Sequence, residues 1–264
     1  GNLLGAANSA LIPQKLVEAG LDRSAAVSQF GVVCGMTMPM LSLPIVFLGA
    51  LNLVLTPRLA RAFALNRPRE IRRLVSQAIS AVSLLTLPCM ALMVVVGPDL
   101  GRAMFHQEGV GDYLIPLACV MAMSCGTSVL ASSLNGVGRQ RTVAAVSLLG
   151  GLVQLAFTLA LVPLSGVGMA GYVAGAVVST ALELGLCLWQ IVRVTGLEVR
   201  PFQWMAAPGL AAALAGLTGN LLFRVLKDSG LSPISAGLAT LLFALVLYLA
   251  ALQAQGVRAR EVLR

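Results

Sequence analysis

At 264 residues the chain is long enough for one large soluble domain or two small ones, but 58% of it is hydrophobic and only 11% is charged, against a usual charged share of about a quarter. The net charge of +8 is gathered into short runs separated by uncharged stretches at 24–57, 74–98, 113–138, 142–182, 201–223 and 229–257. This distribution excludes a soluble globular domain, and the lack of alternating ten-residue strands excludes a membrane β-barrel.

A transmembrane helix needs about 20 mostly apolar residues, because the hydrocarbon layer is about 30 Å thick and a helix rises about 1.5 Å per residue. Each uncharged stretch is long enough for one span, and 142–182 is long enough for two. The expected fold is therefore all-α: a polytopic transmembrane helical bundle of about eight spans.

The first span is expected over 1–17, with Asn8, Ser9 and Gln14 as its polar residues and Gly20 closing it. Its apolar run is already under way at Gly1, with no basic region and no cleavage site before it. The expectation is a fragment truncated on its N-terminal side. A second span over 29–57 contains Pro39, Pro44 and Asn52. Proline removes a backbone donor, and inside a membrane a broken helix is tolerated where neighbours or a cavity satisfy the freed carbonyls. Pro39 and Pro44 are thus hinge candidates, with a plain structural kink as the alternative.

The stretch TPRLARAFALNRPREIRR, residues 56–73, follows as a loop with six arginines and one glutamate. The third span, 75–97, is expected to end at Gly97-Pro98, and the fourth, 113–134, at Asn135-Gly136-Val137-Gly138. The fifth, 143–163, carries Ser147, Gly151, Gln154 and Thr158 on one face. Pro163-Leu164-Ser165-Gly166 separates it from the sixth, 168–192. Spans seven and eight are placed at 206–224 and 232–252. Trp189 and Trp204 flank the loop after span six, where interfacial aromatics belong.

Alternate connectors share a side of the membrane. One side collects Arg58, Arg61, Arg67, Arg69, Arg72, Arg73, Arg139, Arg141, Arg193, Arg200, Arg258, Arg260 and Arg264; the other has Lys15, Arg23, Arg102, Arg224 and Lys227. Basic residues mark the cytoplasmic face, so the expected location is the cytoplasmic membrane with the C-terminus inside. Topology accounts for the 56–73 arginines, which leaves no nucleic-acid reading and adds attraction to anionic membrane lipids.

No catalytic constellation is evident. His106, with Gln107 and Glu108, lacks partners at triad or metal-ligand spacing, and Gly136-Val137-Gly138 lacks the third glycine and strand of a dinucleotide fingerprint. The five cysteines, Cys34, Cys89, Cys119, Cys125 and Cys187, all sit in apolar runs and read as small apolar residues. An enzyme, a metal and a cofactor are not expected. The informative group is Glu183, the only acid inside a span, where an ionised side chain costs roughly 2.5–3.5 kcal/mol. Gly171, Gly175, Ser179 and Glu183 recur every four residues and share one helix stripe. That stripe suits close helix packing with Glu183 near the inner end, or a proton- or sodium-linked coupling site.

Two stretches resemble a known family. LIPQKLVEAGLDRSAAVSQFGVVCGMTMPMLSLPIVFLGALNLVLTPRLARAFA is similar to the start of the second lobe of stage V sporulation protein B-like transporters. These form part of the polysaccharide branch of the multidrug/oligosaccharidyl-lipid/polysaccharide exporter superfamily. LASSLNGVGRQRTVAAVSLLGGLVQLAFTLALVPLSGVGMAGYVAGAVVST resembles that family's tenth to twelfth spans. The resemblance implies fourteen spans in two six-helix lobes plus two C-terminal helices. Residues 1–195 would be the second lobe and 196–264 the two further helices and a cytoplasmic tail, with the first lobe missing and supplied in cis or in trans. It implies alternating access and export of a lipid-linked sugar for the cell envelope or spore layers. The first two helices of a lobe line the cavity, which brings Asn8, Ser9, Gln14, Ser42 and Asn52 into view. These helices hold no intramembrane arginine, so a pyrophosphate would draw on the absent lobe or on Arg58 at the cytoplasmic mouth. Amphipathic cations, as in the multidrug branch, are the alternative cargo, and a non-transporting membrane scaffold is the third reading.

Overall fold

A computed structural model describes residues 2–105, 111–164, 166–197, 206–229 and 233–254. Gly1, His106, Trp204 and the arginines at 200, 258, 260 and 264 lie outside them. The described residues form helices without strands: α1 (Asn2–Glu18), α2 (Arg23–Phe30), a π-helical stretch (Gly31–Thr37), α3 (Met38–Leu41), α4 (Leu43–Ala64), α5 (Pro68–Phe105), α6 (Leu114–Gly136), α7 (Gln140–Leu161), α8 (Met169–Thr195), α9 (Ala207–Asp228) and α10 (Pro233–Ala254).

The protein is the expected all-α, multi-pass membrane bundle. Among the described residues, six helices are long and apolar enough to cross a membrane: Arg23–Leu41, Pro68–Asp99, Leu114–Gly136, Gln140–Leu161, Met169–Thr195 and Pro208–Asp228. Eight spans were expected. Of the others, α1 has 17 residues, and the apolar part of α10, Ser235–Ala251, is also shorter than those six. The outer surface is what hydrocarbon requires. Leu210, Leu214, Leu217, Leu221 and Val225 form an exposed stripe along α9, and Leu238, Leu242, Val246 and Leu249 form another along α10.

The expected second span is not one helix. Pro39 has no N–H to give to the preceding turn. The chain before it widens into π geometry, with Met38 N–H reaching Val33 O and Thr37 Oγ1 donating to Val32 O at 3.0 Å. The helix then breaks at Ser42, between Pro39 and Pro44. Ser42 N–H and Oγ both donate to Pro39 O, at 3.2 and 2.7 Å, and Ile45 N–H takes Ser42 O at 2.9 Å.

Two further expectations are corrected. The arginine stretch at 56–73 is not a loop. α4 runs on to Ala64 and α5 begins at Pro68, so a tight turn joins two helix ends, with Asn66 at φ 52° in the left-handed region that asparagine tolerates. Nor does Gly97-Pro98 end a helix. α5 continues to Phe105, 38 residues in all. Gly97 serves packing there, since a Cβ on it would meet the Leu114 side chain at 2.7 Å. The other turn glycines fall as expected, with positive φ at Gly20, Gly138 and Gly166.

Two apolar clusters mark the two ends of the bundle. One joins Leu59 and Ala62 of α4, Ile71 and Val75 of α5, Leu134 of α6 and Ile191 of α8. Around it stand the arginines of the α4–α5 turn, Arg139 and Arg193, and Arg72 Nε donates to Thr195 O at 2.8 Å. The other cluster joins Leu16, Ala26, Leu114, Val162 and Met169. That end carries the ion pairs Lys15–Glu18 at 2.6 Å and Lys227–Asp99 at 2.7 Å, while the arginine-rich end has Arg67–Glu70 at 3.4 Å. The nine described arginines of the expected basic side thus gather at one physical end of the bundle.

α9 and α10 pack on α5 through Leu92, Ala211, Ala212, Ala215, Ala244 and Tyr248. One hydrogen bond there has a clear cause. Pro88 within α5 cannot donate to Leu84 O, and the buried Tyr248 hydroxyl of α10 donates to that carbonyl at 2.9 Å. Tyr248→Phe is expected to lower the melting temperature in detergent, at a cost of about 1–2 kcal/mol for the orphaned carbonyl. In the Pro88→Ala background, where residue 88 regains its N–H, the same change is expected to cost little. A thermal-unfolding double-mutant cycle checks this.

Candidate functional site

Several polar residues within the spans line one cavity. It measures about 330 Å³ and lies between α1, α7 and α8, with Met38 and Val120 completing its wall. α7 contributes Ser147, Gly150, Gly151 and Gln154; α8 contributes Tyr172, Ala176, Ser179, Thr180 and Glu183; α1 contributes Gly5 and Asn8.

Glycines set how closely α7 and α8 approach. A Cβ on Gly175 would stand 2.6 Å from Phe157 Cβ, and one on Gly171 would stand 2.8 Å from Leu161 Cβ. A Cβ on Gly150 would overlap the Glu183 carboxylate outright. The Gly171–Gly175–Ser179–Glu183 stripe is therefore a packing seam and also one wall of the cavity. Gly150 is the notch that receives Glu183. Glu183 stands about midway along α8 rather than near its inner end.

Gln154 organises the polar wall. Its Nε2 donates to Tyr172 O at 3.2 Å, and its Oε1 accepts from Ser179 Oγ at 3.0 Å. Asn8 is 8% exposed, and its Oδ1 has no hydrogen-bond partner. A buried acceptor left unpaired costs free energy, and here it stands in the wall of a polar cavity that also holds a carboxylate. No Lys or Arg lines this space.

The other sequence candidates do not join this site. Ser9 is exposed and its hydroxyl turns back to Gly5 O at 3.0 Å. Gln14 is exposed. Ser42 serves the helix break. Asn52 Nδ2 donates to Ser128 Oγ of α6 at 2.9 Å, leaving its Oδ1 without a partner. Arg58 is exposed at the arginine-rich end and does not line this cavity. Tyr172, Thr180 and Gly150 were missed by the sequence reading. The adjacent glycines at 150 and 151, mid-helix among leucines, were the available signal for Gly150. Nothing in the local pattern singles out Tyr172.

Residues 32–160, just under half of the chain, match the family model MatE, which describes membrane exporters. The match runs from the π-helical stretch into α7. It takes in the Ser42 break, Asn52, Arg58, Gly150 and Gln154, and it leaves out Asn8 and Glu183. No curated protein matches the chain.

Gln154→Leu removes both bonds that join α7 to α8 at the cavity. It is expected to destabilise the bundle by about 1 kcal/mol, read as a lower melting temperature in detergent. Ser9→Ala, which touches only its own helix, is expected to leave that temperature unchanged.

Proposed function

We propose that the chain is the second lobe of an alternating-access exporter that moves a lipid-linked oligosaccharide or polysaccharide precursor outward across the cytoplasmic membrane. The observation that carries the transport reading is the polar cavity at mid-membrane depth, walled by Asn8, Gln154 and Glu183, in a chain matched to an exporter family. Transporters built from repeats place their sites near the midplane and between mobile elements. The basic end would be cytoplasmic, with the C-terminus on that side. Residues 1–195 would form the lobe, and α9 and α10 with the tail would be the two additional helices. A first lobe, in cis or in trans, would close the central pathway and supply the cations for a pyrophosphate.

In this reading Glu183 is the coupling group. A lone carboxylate among amides and hydroxyls binds a proton or a sodium ion, and its occupancy sets whether α7 and α8 carry a charge at membrane depth. The broken helix at Ser42 is the hinge, because its carbonyls are satisfied locally on both sides of the break. The runner-up cargo is an amphipathic cation. What favours it is the carboxylate of Glu183 in a cavity without guanidinium or ammonium groups.

Proteoliposomes holding the chain together with a first lobe separate these readings. A fluorescent lipid-linked oligosaccharide and a cationic dye are compared as cargo under a pH gradient and under a sodium gradient. Gradient-driven flux of the oligosaccharide is expected. Glu183→Gln is expected to reduce that flux at least tenfold without loss of expression. Flux independent of pH and sodium in both proteins would remove Glu183 from coupling, and flux of the dye alone would move the assignment to the cation.

A further inference from the structure

The arginine-rich end carries a second concave feature that shares no residue with the Glu183 cavity. A space of about 400 Å³ opens between Arg139, Gln190, Arg193 and Val194. Arg139 stands in the turn that joins α6 to α7. The other three lie in the last turns of α8, at the spacing that puts them on one helix face. The ion pairs among the described residues join Lys15 to Glu18, Arg67 to Glu70 and Lys227 to Asp99, so neither Arg139 nor Arg193 is neutralised by them. Arg193 is held over the ring of Trp189, 5.4 Å from its centroid, and Trp189 is 58% exposed.

These features share one chemistry. Two guanidinium forks and an amide present planar sets of N–H donors, the arrangement that recognises phosphate oxygens. The aromatic under Arg193 limits its rotamers and so lowers the ordering cost of binding. The position selects the source of the phosphate. An outward-facing tryptophan near the end of a membrane-crossing helix lies where the head groups of a leaflet lie. The arginines at this end, Arg139 and Arg193 among them, are exposed; what sets these two apart from Arg61, Arg69 and Arg73 is that they line one concavity.

We propose that this cavity binds the phosphate of an anionic membrane lipid, with Arg139 and Arg193 as the paired forks, Gln190 as an added donor and Trp189 seated at head-group depth. The bound lipid would fasten the α6–α7 turn to the end of α8.

The test is native mass spectrometry of the purified protein titrated with phosphatidylglycerol, with phosphatidylcholine and with inorganic phosphate. Phosphatidylglycerol is expected to be retained in preference to phosphatidylcholine. The double variant Arg139→Gln/Arg193→Gln is expected to weaken its binding about tenfold or more. Arg61→Gln/Arg69→Gln makes the same charge change at the same end and is expected to leave the binding nearly unchanged. Equal losses in the two double variants, or equal retention of phosphatidylcholine, would overturn the site. Displacement of the lipid by millimolar inorganic phosphate would overturn the lipid as its ligand. Should the Arg139/Arg193 variant not fold, Arg193→Lys keeps the charge and removes the fork. Weaker phosphatidylglycerol binding is expected there, and undiminished binding would count against paired-fork recognition.

Discussion

A backbone carbonyl in hydrocarbon has no water to turn to, and this constraint shapes the molecule wherever proline interrupts a helix. The chain answers it in three ways. Before Pro39 the helix widens, so that Met38 and Thr37 reach carbonyls five residues back. At the break itself Ser42 closes on Pro39 O with both its amide and its hydroxyl. At Pro88 the answer comes from another helix, through the hydroxyl of Tyr248. The first two leave α2–α3 and α4 free to differ in direction without exposing polar backbone. The third binds α10 to α5 and gives the C-terminal pair of helices a specific register on the bundle.

Polar chemistry inside the membrane is sorted by sign. The mid-depth cavity holds one carboxylate and neutral donors and acceptors, and its close α7–α8 wall exists because Gly150, Gly171 and Gly175 lack side chains. Most of the described guanidinium groups lie at one end of the bundle, with Arg23, Arg102 and Arg224 toward the other. An exporter arranged in this way would meet a cation or a proton in the protein interior and anionic head groups at its margin. On that reading the two cavities would answer to different ligands with little competition between them.

The sequence carries the positions of the spans well, because charge-free stretches and turn glycines are local signals. Gly20, Gly138 and Gly166 end or follow helices as read. It carries helix pairing poorly. The four-residue spacing of Gly171, Gly175, Ser179 and Glu183 names a face of α8, yet it cannot name Phe157, Leu161 and Gly150 as what that face meets. For the same reason it cannot name Ser128 of α6 as the partner that Asn52 bonds. Gly97-Pro98 looked like a stop because both residues disfavour helix, and tertiary contact with Leu114 overrode that preference. Of the residues that wall the cavity, Asn8, Gln154 and Glu183 could be singled out in the sequence as polar groups inside apolar runs. Tyr172 could not, because nothing in its local pattern sets it apart.

α5 has a consequence beyond packing. Its 38 residues make a continuous helix about 57 Å long at about 1.5 Å per residue, against a hydrocarbon layer of about 30 Å. Tilts in the usual range of about 0–40° do not absorb that excess. The helix must overhang the apolar layer, with Arg69, Arg72 and Arg73 near one end and Asp99 and Arg102 near the other. One secondary-structure element is thereby wetted on both sides of the barrier. It touches α4 and α6 as well as α9 and α10 along its length, so it is a shaft shared by the bundle and its appended pair. A displacement imposed at one rim has a direct mechanical route to the opposite rim, with no loop in between.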